Sequence, residues 1–543
     1  MTIYIVIINF FSLISFAQSL EWAERVGGSN DDRCFDVTHD NSNNIYLTGG
    51  FCNSVNFNPL GVPFYLKSSN ADNSDVFIAK YDPNFNLIWA LSIGNNTWET
   101  GLSIVVDSLC NVYITGNYKG YVDFDPGTDN YFLNSLSMSY FFAKYNSEGQ
   151  LEWVKDIGSD GNNYLTLHRS RLFIDKNENV YSFLHENDTL KRFDSSGNIV
   201  WKKKLSGLPI LLDKSKFAYI DYFKTPFEYN YYYQNTVRLN SFDIDNNNQN
   251  SYLIAHTDDG FIGGFINKGH NGEILISGKF WGSVSFYSSI DTVTISNYDS
   301  TSSAPGHHGP LAKEFIAKID TSGNTIWIKH YNGKGPIPYI LKTNTNGEIF
   351  TAGFLVFSAN FDPAGSRIIT NGDFGNYIAK YDSSFNYLAC ATFLGGSYND
   401  FIGGIEFYND TAIIFGQFFG KIDVDLTNNN YFLTASFPED IFVAKYSNFD
   451  ITTNPVSVNE VTNKLSKIDV FPNPSTGVYY LKFNKSKSNP LLILSDIYGR
   501  KIISKEVDRD GYALDISRYR NGIYLLTIIQ GSEKTSVKLV KQD

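Results

Sequence analysis

The phrase FIAKYDPNFNLIW (Phe77–Trp89) returns as FFAKYNSEGQLEW (Phe141–Trp153), FIAKIDTSGNTIW (Phe315–Trp327) and YIAKYDSSFNYLA (Tyr377–Ala389). A chain that repeats one supersecondary phrase at long, similar intervals is confined to solenoids, propellers and related arrays. Aligned on the closing aromatic, the copies fall at Trp22, Trp89, Trp153, Trp201 and Trp327, separated by 67, 64, 48 and 126 residues. Inside the last interval VRLNSFDIDNNNQNSYLIA (Val237–Ala255) sets Tyr252 in the aromatic's place, and the next copy sets Ala389 there.

Each unit holds a second phrase, such as SIVVDSLCNVYITG (Ser103–Gly116) or LKTNTNGEIFTAG (Leu341–Gly353). Both phrases are two short apolar or alternating runs around an Asn/Asp/Gly turn, which is how a β-hairpin reads. Two hairpins give four antiparallel strands, one propeller blade. The 43 Phe and 36 Tyr against 2 Met favour strands over helices. The order of phrases is staggered: the chain opens with a lone fourth strand, LEWAERV (Leu20–Val26), and its last third strand, FVAKYS (Phe442–Ser447), has none after it. Pairing the two ends removes the exposed edges of an open sheet. The sequence therefore predicts an all-β protein, a seven-bladed β-propeller closed by an N-terminal strand.

Five units carry an arm between second and third strands: CNSVNFNPLG, KGYVDFDPG, WGSVSFYSS, SANFDPAG and GKIDVDLTN; the units around residues 160–250 lack it. Strand direction alternates, so the arms and the unit-to-unit loops emerge on one face, predicted to be lower over the third and fourth units. A notch in a loop-bearing face is a docking site. The unit-to-unit loops place Asp31, Asp32, Glu99, Asp160, Asp258, Asp259 and Asp400 on that face. They form either a negative rim at the channel mouth that draws cations or basic partners, or a solvated loop surface. Asp123, Asp125, Asp423, Asp425, Asn58 and Asp362 offer oxygen atoms to calcium. Alternation presents only two at a time where calcium takes six to eight, and Asp-Pro-Gly starts turns by itself. No cofactor is predicted; calcium is the one candidate.

No HExxH, GxSxG, Walker-type or strand-linked GxGxxG motif is present, and no catalytic residue is identified. His307–His308 sits in a Ser/Gly/Pro loop without a third ligand, and EYNYYYQN (Glu228–Asn235) reads as blade packing or as an aromatic platform. Cys34 and Cys52 fall in one unit and either meet across a strand pair or stay as buried thiols; Cys110 and Cys390 complete the four, without CxxC spacing. A formal net charge of -12 argues against nucleic acid and anionic membranes as partners.

Residues 1–19 read as a secretory signal peptide, an apolar run too short to span a bilayer, and no other run is long enough. Residues 20–449 form the propeller. They resemble the seven-bladed repeat propellers of secreted Bacteroidetes proteins, with units of the form G-N-x-Y-x-T-G, F-D-P-G, D-x-F-x-A-K-Y-D and G-x-x-x-W; the third and fourth units depart most. Residues 450–466 are a polar linker. Residues 467–543 hold about seven short strands, read as a small Ig-like β-sandwich. Here FPNPSTG, SDIYGRKI, LDISRYRNGIYLLTI and a terminal Lys-Val-Lys segment resemble the type A C-terminal sorting domain of the type IX secretion system. The resemblance implies passage through the outer membrane, the secretion machinery as partner, and a sorting signal at Pro472, Asn473, Pro474, Gly477, Gly499, Gly522 and Tyr524. The residues by themselves give Pro472 and Pro474 an extended entry to the first strand, the glycines turns, and Tyr524 a core position.

The sequence thus predicts an exported binding or scaffold propeller, secreted or held at the cell surface, monomeric, with a protein or glycan ligand. The alternative is a hydrolase or lyase acting on polysaccharide or peptide at the channel mouth. The first predicts an uneven polar rim; the second predicts two or three titratable groups converging there.

Overall fold

The computed structural model describes residues 19–127, 129–159, 170–184, 188–213, 215–221, 236–245, 248–257, 261–289, 291–297, 313–331, 337–355, 358–362, 368–370, 375–393, 400–426, 430–436, 439–447, 449, 469–482, 490–496, 501–507, 512–530 and 533–542. The chain divides into two compact units, residues 1–456 and 457–543. Apart from one turn of 3₁₀-helix at His270–Gly272, every element in the described residues is a β-strand.

The repeated turn is written in the sequence as Asp-x-x-x-Asn. Between Asp75–Tyr81 and Leu87–Ile93, Asp82 Oδ1 accepts the backbone N–H of Asn84 (2.8 Å) and Asn86 (2.9 Å), while Oδ2 accepts the Asn86 side chain. The same cage recurs at Asp40/Asn44, Asp107/Asn111, Asp175/Asn179, Asp194/Asn198, Asp320/Asn324 and Asp382/Asn386. The fourth residue of the turn has positive φ, 65° at Phe85 and 77° at Gly197. This is a type I turn closed by a left-handed residue, a common three-residue hairpin connection.

Hairpins of this kind assemble into antiparallel sheets. Asp32–His39, Ile45–Phe51, Asp75–Tyr81 and Leu87–Ile93 make the first; Thr100–Val106, Val112–Asp123, Phe132–Tyr145 and Leu151–Ser159 the second; Ser170–Ile174, Val180–Leu184, Thr189–Phe193 and Ile199–Lys204 the third. Ile337–Thr343, Ile349–Leu355, Gly375–Tyr381 and Tyr387–Thr392 make another. Phe401–Tyr408, Thr411–Phe418 and Asp440–Ser447 make a sheet whose fourth strand is Ser19–Val26 from the other end of the chain, with Trp22 opposite Lys445 and Glu24 opposite Val443.

One joint departs from this pattern. Ile274–Tyr287 pairs through its front half with Phe261–Lys268 and Lys313–Ile319, then runs on into an arm paired with Thr292–Asn297. That arm also meets Gln249–His256 at Ala255–Phe286 and His256–Ser285, so two neighbouring groups of strands merge into one nine-stranded sheet. The run WGSVSFY continues the strand before it, so a single strand of 14 residues carries the pairing from sheet into arm.

Neighbouring sheets are clasped by the residues that make the repeated phrase recognisable. The Lys of the Ala-Lys-Tyr or Ala-Lys-Ile phrase lies opposite the closing aromatic, Lys80 to Trp89 and Lys318 to Trp327. Both donate to one carbonyl in the next sheet's turn: Lys80 and Trp89 to Ser147, Lys318 and Trp327 to Ser383, and, across the chain ends, Lys445 and Trp22 to Pro83. Tyr252 holds the aromatic's place against Gly323, whose added Cβ would lie 2.3 Å from the Tyr252 Cβ. Where the turn carries Phe instead of Gly, the ring packs against the clasp, with Phe85 tilted toward Trp22 at 4.7 Å between centroids.

These contacts set an expected result for two glycines. At Gly197 φ is 77° and an added Cβ would lie 2.7 Å from Trp153; at Gly420 φ is 64° and nothing lies within 4 Å. Gly420→Ala carries only the left-handed backbone penalty of about 1 kcal/mol, whereas Gly197→Ala adds overlap with the indole, for about 2–3 kcal/mol in total. Thermal melts of the two variants check the ordering.

In the second unit, Asp469–Phe471, Val478–Lys482 and Tyr512–Asp515 form one sheet, and Lys501–Glu506, Leu491–Asp496, Gly522–Gln530 and Glu533–Lys541 another. Tyr479, Leu481 and Leu514 from the first share a buried cluster with Leu492, Leu494, Leu526, Ile528 and Leu539 from the second. The Phe-Pro-Asn-Pro-Ser segment docks on the last strand: Asn473 Oδ1 accepts the Val540 N–H at 2.8 Å, and Ser475 N–H donates to the Val540 carbonyl at 3.0 Å.

Candidate functional site

The first strands of the sheets face a common central cavity of about 350 Å³. Four of these strands carry a register break at the same place, between Cys34 and Asp36, Gly101 and Ser103, Pro338 and Ile340, and Ile402 and Gly404. A bulge of this kind re-aims the side chain that follows it. Asp36 is such a residue: Oδ2 accepts the Ser103 hydroxyl (2.8 Å) and the Ile104 N–H (2.9 Å), both on the neighbouring sheet. Arg171, Lys342 and Glu406 line the same cavity, and Lys342 Nζ meets Glu406 Oε2 at 3.2 Å. Burial pushes the Asp36 carboxyl up to about 6; the Ile104 and Ser103 hydrogen bonds oppose this, Glu406 adds to it and Lys342 opposes it.

The acids of the unit-to-unit loops sit elsewhere. Asp32 is buried and accepts the N–H of Gly28 (2.7 Å) and Cys52 (3.1 Å). Asp400 is buried and accepts the Phe419 N–H at 2.8 Å; Glu99 is buried and accepts the Asn95 N–H at 3.0 Å. Asp31 is partly exposed, 4.0 Å from Arg33. Asp32, Glu99 and Asp400 thus fasten loops to sheets. Asp160, Asp258 and Asp259 lie outside the described residues, as do residues 1–18, His307–His308 and Glu228–Asn235. Asp36, Arg171, Lys342 and Glu406 were not singled out from the sequence. The signal for them is a charged residue inside an otherwise apolar first strand, as in RLFI and YILKT.

The arms are short hairpins, for instance Ser54–Asn56 with Tyr65–Lys67, and Lys421–Asp423 with Phe432–Thr434. Four of the five are tied down by the tyrosine of Ala-Lys-Tyr: Tyr81 donates to the Phe57 carbonyl (2.8 Å), Tyr145 to Phe124 (2.9 Å), Tyr381 to Phe361 (3.0 Å) and Tyr446 to Val424. Asp123 Oδ1 accepts the N–H of Asp125 (3.1 Å) and Tyr131 (2.8 Å), and Asp423 repeats this with Asp425 and Tyr431. Among the described residues no three His, Cys, Asp or Glu side chains are grouped to hold a metal ion. The outer edges of three arms present aromatic pairs to solvent: Phe64 and Tyr65, Tyr131 and Phe132, Tyr431 and Phe432. All four cysteines are free thiols, Cys34 and Cys52 both buried.

In the second unit Pro472, Asn473 and Pro474 are exposed and Gly477 is buried. Gly477 has φ 132°, and an added Cβ would lie 2.6 Å from the Ser517 Cα; Gly522 has φ 157°. Tyr524 is buried and donates to the Arg520 carbonyl at 2.6 Å. Gly499 lies outside the described residues.

Two buried glutamates give the first unit a pH dependence. Burial pushes Glu99 and Glu439 up to about 7, against hydrogen bonds to Glu99 from Thr97 and Asn95 and the attraction of Arg33 for Glu439. An unfolded glutamate releases its proton near 4.5, so between these values the folded chain holds more protons, and stability present below pH 4.5 is lost as pH rises through 7. Each glutamate accounts for about 3 kcal/mol of this loss. Melting temperature falls between pH 5 and 8 in the parent, and Glu99→Gln with Glu439→Gln flattens the profile.

The geometry defines an all-β, propeller-like unit of antiparallel sheets around a cavity, joined to a small β unit. Residues 469–542 match the family described as "Secretion system C-terminal sorting domain". Over 152 residues the chain is 28% identical to an uncharacterized WD repeat-containing protein of Acanthamoeba polyphaga mimivirus, covering 26% of this chain and 11% of that protein. Over 130 residues it is 25% identical to a funoran endo-beta-hydrolase of Wenyingzhuangia aestuarii, covering 22% of this chain and 18% of that protein. The matched stretches thus span under a fifth of the length of these curated relatives. Among solved structures, the β-propeller domain of the Trilobed protease from Pyrococcus furiosus aligns over 81% of this chain and 99% of its own, at 10% identity and a TM-score of 0.37. The sorting domain marks the chain for the type IX secretion machinery, and the protein is exported to the cell surface or released. No helix among the described residues is long and apolar enough to cross a membrane.

Proposed function

We propose that the first unit is a seven-bladed propeller, shut by Ser19–Val26, that works outside the cell as a monomeric binding or scaffold module, and that the second is an Ig-like sandwich serving as its secretion handle. Its ligand, a glycan or protein, docks on the armed face. The observation that carries this is the aromatic pairs on the arms: Phe64–Tyr65, Tyr131–Phe132 and Tyr431–Phe432 hold large apolar surface in water, on hairpins pinned from beneath by buried tyrosines. Exposed aromatics with a fixed support mark a contact surface.

Replacing Tyr65, Phe132 and Phe432 together with Ser leaves the melting temperature within about 2 °C, since exposed sites contribute little to stability. It lowers binding to whatever a glycan array or extracellular-protein screen selects by about tenfold or more. Unchanged binding in the triple variant defeats this reading. A second reading, a hydrolase or lyase, is favoured by the convergence of Asp36 and Glu406 in the cavity. Release of reducing ends from a polysaccharide panel, abolished by Asp36→Asn and Glu406→Gln, would establish it.

A further inference from the structure

We propose that the central cavity is a second binding site, distinct from the arms, in which Arg171 takes the carboxylate of an acidic sugar. Arg171 is the second residue of Ser170–Ile174 and lines the cavity. Three other arginines of this unit have carboxylate partners: Arg25 pairs with Asp440, Arg33 with Glu439 at 3.0 Å and Arg192 with Asp245 at 3.8 Å. Among the described residues Arg171 has neither an ion pair nor a side-chain hydrogen bond; its side chain is open to the water of the cavity, and the protein atoms around that cavity lower its affinity for a proton. A guanidinium remains charged and carries five N–H donors, so one that lines a cavity without a carboxylate of its own is open to an oxyanion that enters.

The acids nearby are committed elsewhere. Asp36 is the charge that Arg171 feels most, yet its Oδ2 is held by Ser103 and Ile104 and its Oδ1 by the Val37 N–H at 3.0 Å. Glu406 is engaged by Lys342. What remains is one unfilled planar donor fork, which matches a carboxylate in two-pronged fashion, beside two carboxylates able to accept hydroxyl protons. Phe35 and Phe173, both half-buried, supply apolar wall. A ligand complementary to this set carries one oxyanion, several hydroxyl donors and a C–H face, which is the description of a uronic acid. The volume of about 350 Å³ falls at the small end of ligand pockets and suits a terminal sugar or a short chain end.

The test is calorimetric titration of the full chain with galacturonate and with galactose, which share the ring and differ in the carboxylate. The expected result is at least tenfold tighter binding of galacturonate, a preference erased in Arg171→Gln, partly kept in Arg171→Lys and weakened by added salt. Equal binding of the two sugars, no binding of galacturonate, or a preference that survives Arg171→Gln would each overturn the assignment. The parent's sugar preference and its salt dependence decide the matter even where a variant folds poorly. The triple arm variant keeps its galacturonate binding, so failure of the arm reading and failure of this one give different results.

Discussion

A chain that begins at Gly27 does not reach the native state of the first unit. Deleting Ser19–Val26 leaves Asp440–Ser447 as an open edge and removes a seven-pair antiparallel ladder. It uncovers the pockets of Ala23 and Val26, both fully buried, and strips Pro83 of its Trp22 clasp. It also leaves Asp440, whose side chain is wholly buried, without Arg25. An isolated buried carboxylate costs about 3–5 kcal/mol, a buried valine about 2 kcal/mol, and each ladder hydrogen bond about 1 kcal/mol. The sum, of order 10 kcal/mol, equals the whole stability of an ordinary domain. Circular dichroism and gel filtration should show an expanded, aggregation-prone chain, and a peptide of residues 19–26 added in trans should restore a melting transition. A milder change separates the ion pair from the strand: Arg25→Met lowers stability by about 3 kcal/mol, and Arg25→Met with Asp440→Asn recovers most of it. If the truncated chain melts cooperatively at the parent's temperature, the end-to-end strand contributes nothing to the fold.

That pairing was legible in the sequence because the Trp22 and Phe442 phrases are halves of one repeated hairpin. The repeat also gave the turns, since Asp82 and Asn86 supply their own backbone partners, and it gave the positions of the arms. Sequence reading stopped at contacts between units. The Lys80–Trp89–Ser147 clasp joins residues 67 and 58 apart, and nothing in either phrase states the partner. The merged sheet at Ala255–Phe286 escaped for the same reason. Charge was misplaced most: acids in loops, such as Asp32 and Glu99, read as solvent-facing, whereas both are buried against backbone N–H groups. Charge inside first strands, such as Arg171, carries no local mark of where it points; it lines the cavity because the sheets contribute their first strands there.

Tyr81 shows how one residue couples the blade core to the arm above it, and replacing it should separate the two. Its ring is fully buried and stacks on Phe85 at 4.1 Å between centroids, while its hydroxyl reaches the Phe57 carbonyl at the base of the arm. Tyr81→Ala loses both, leaving a large cavity among Leu47, Phe77 and Phe85, and lowers stability by about 3–5 kcal/mol. Tyr81→Phe keeps the stack and removes only the hydroxyl, lowering stability by about 1 kcal/mol and leaving the Phe57 carbonyl without its donor. The two variants therefore differ in place as well as in size. Amide exchange in Tyr81→Phe should quicken about five- to tenfold at Ser54–Asn56, Tyr65–Lys67 and the Phe57 N–H that bonds Phe64, with little change in Ile45–Phe51. In Tyr81→Ala the whole first sheet should exchange faster. An arm whose exchange is indifferent to Tyr81→Phe would mean that the hydrogen bond from below does not hold it. The recurrence of Phe-Asp-Pro with Ala-Lys-Tyr in the same units would then owe nothing to this contact.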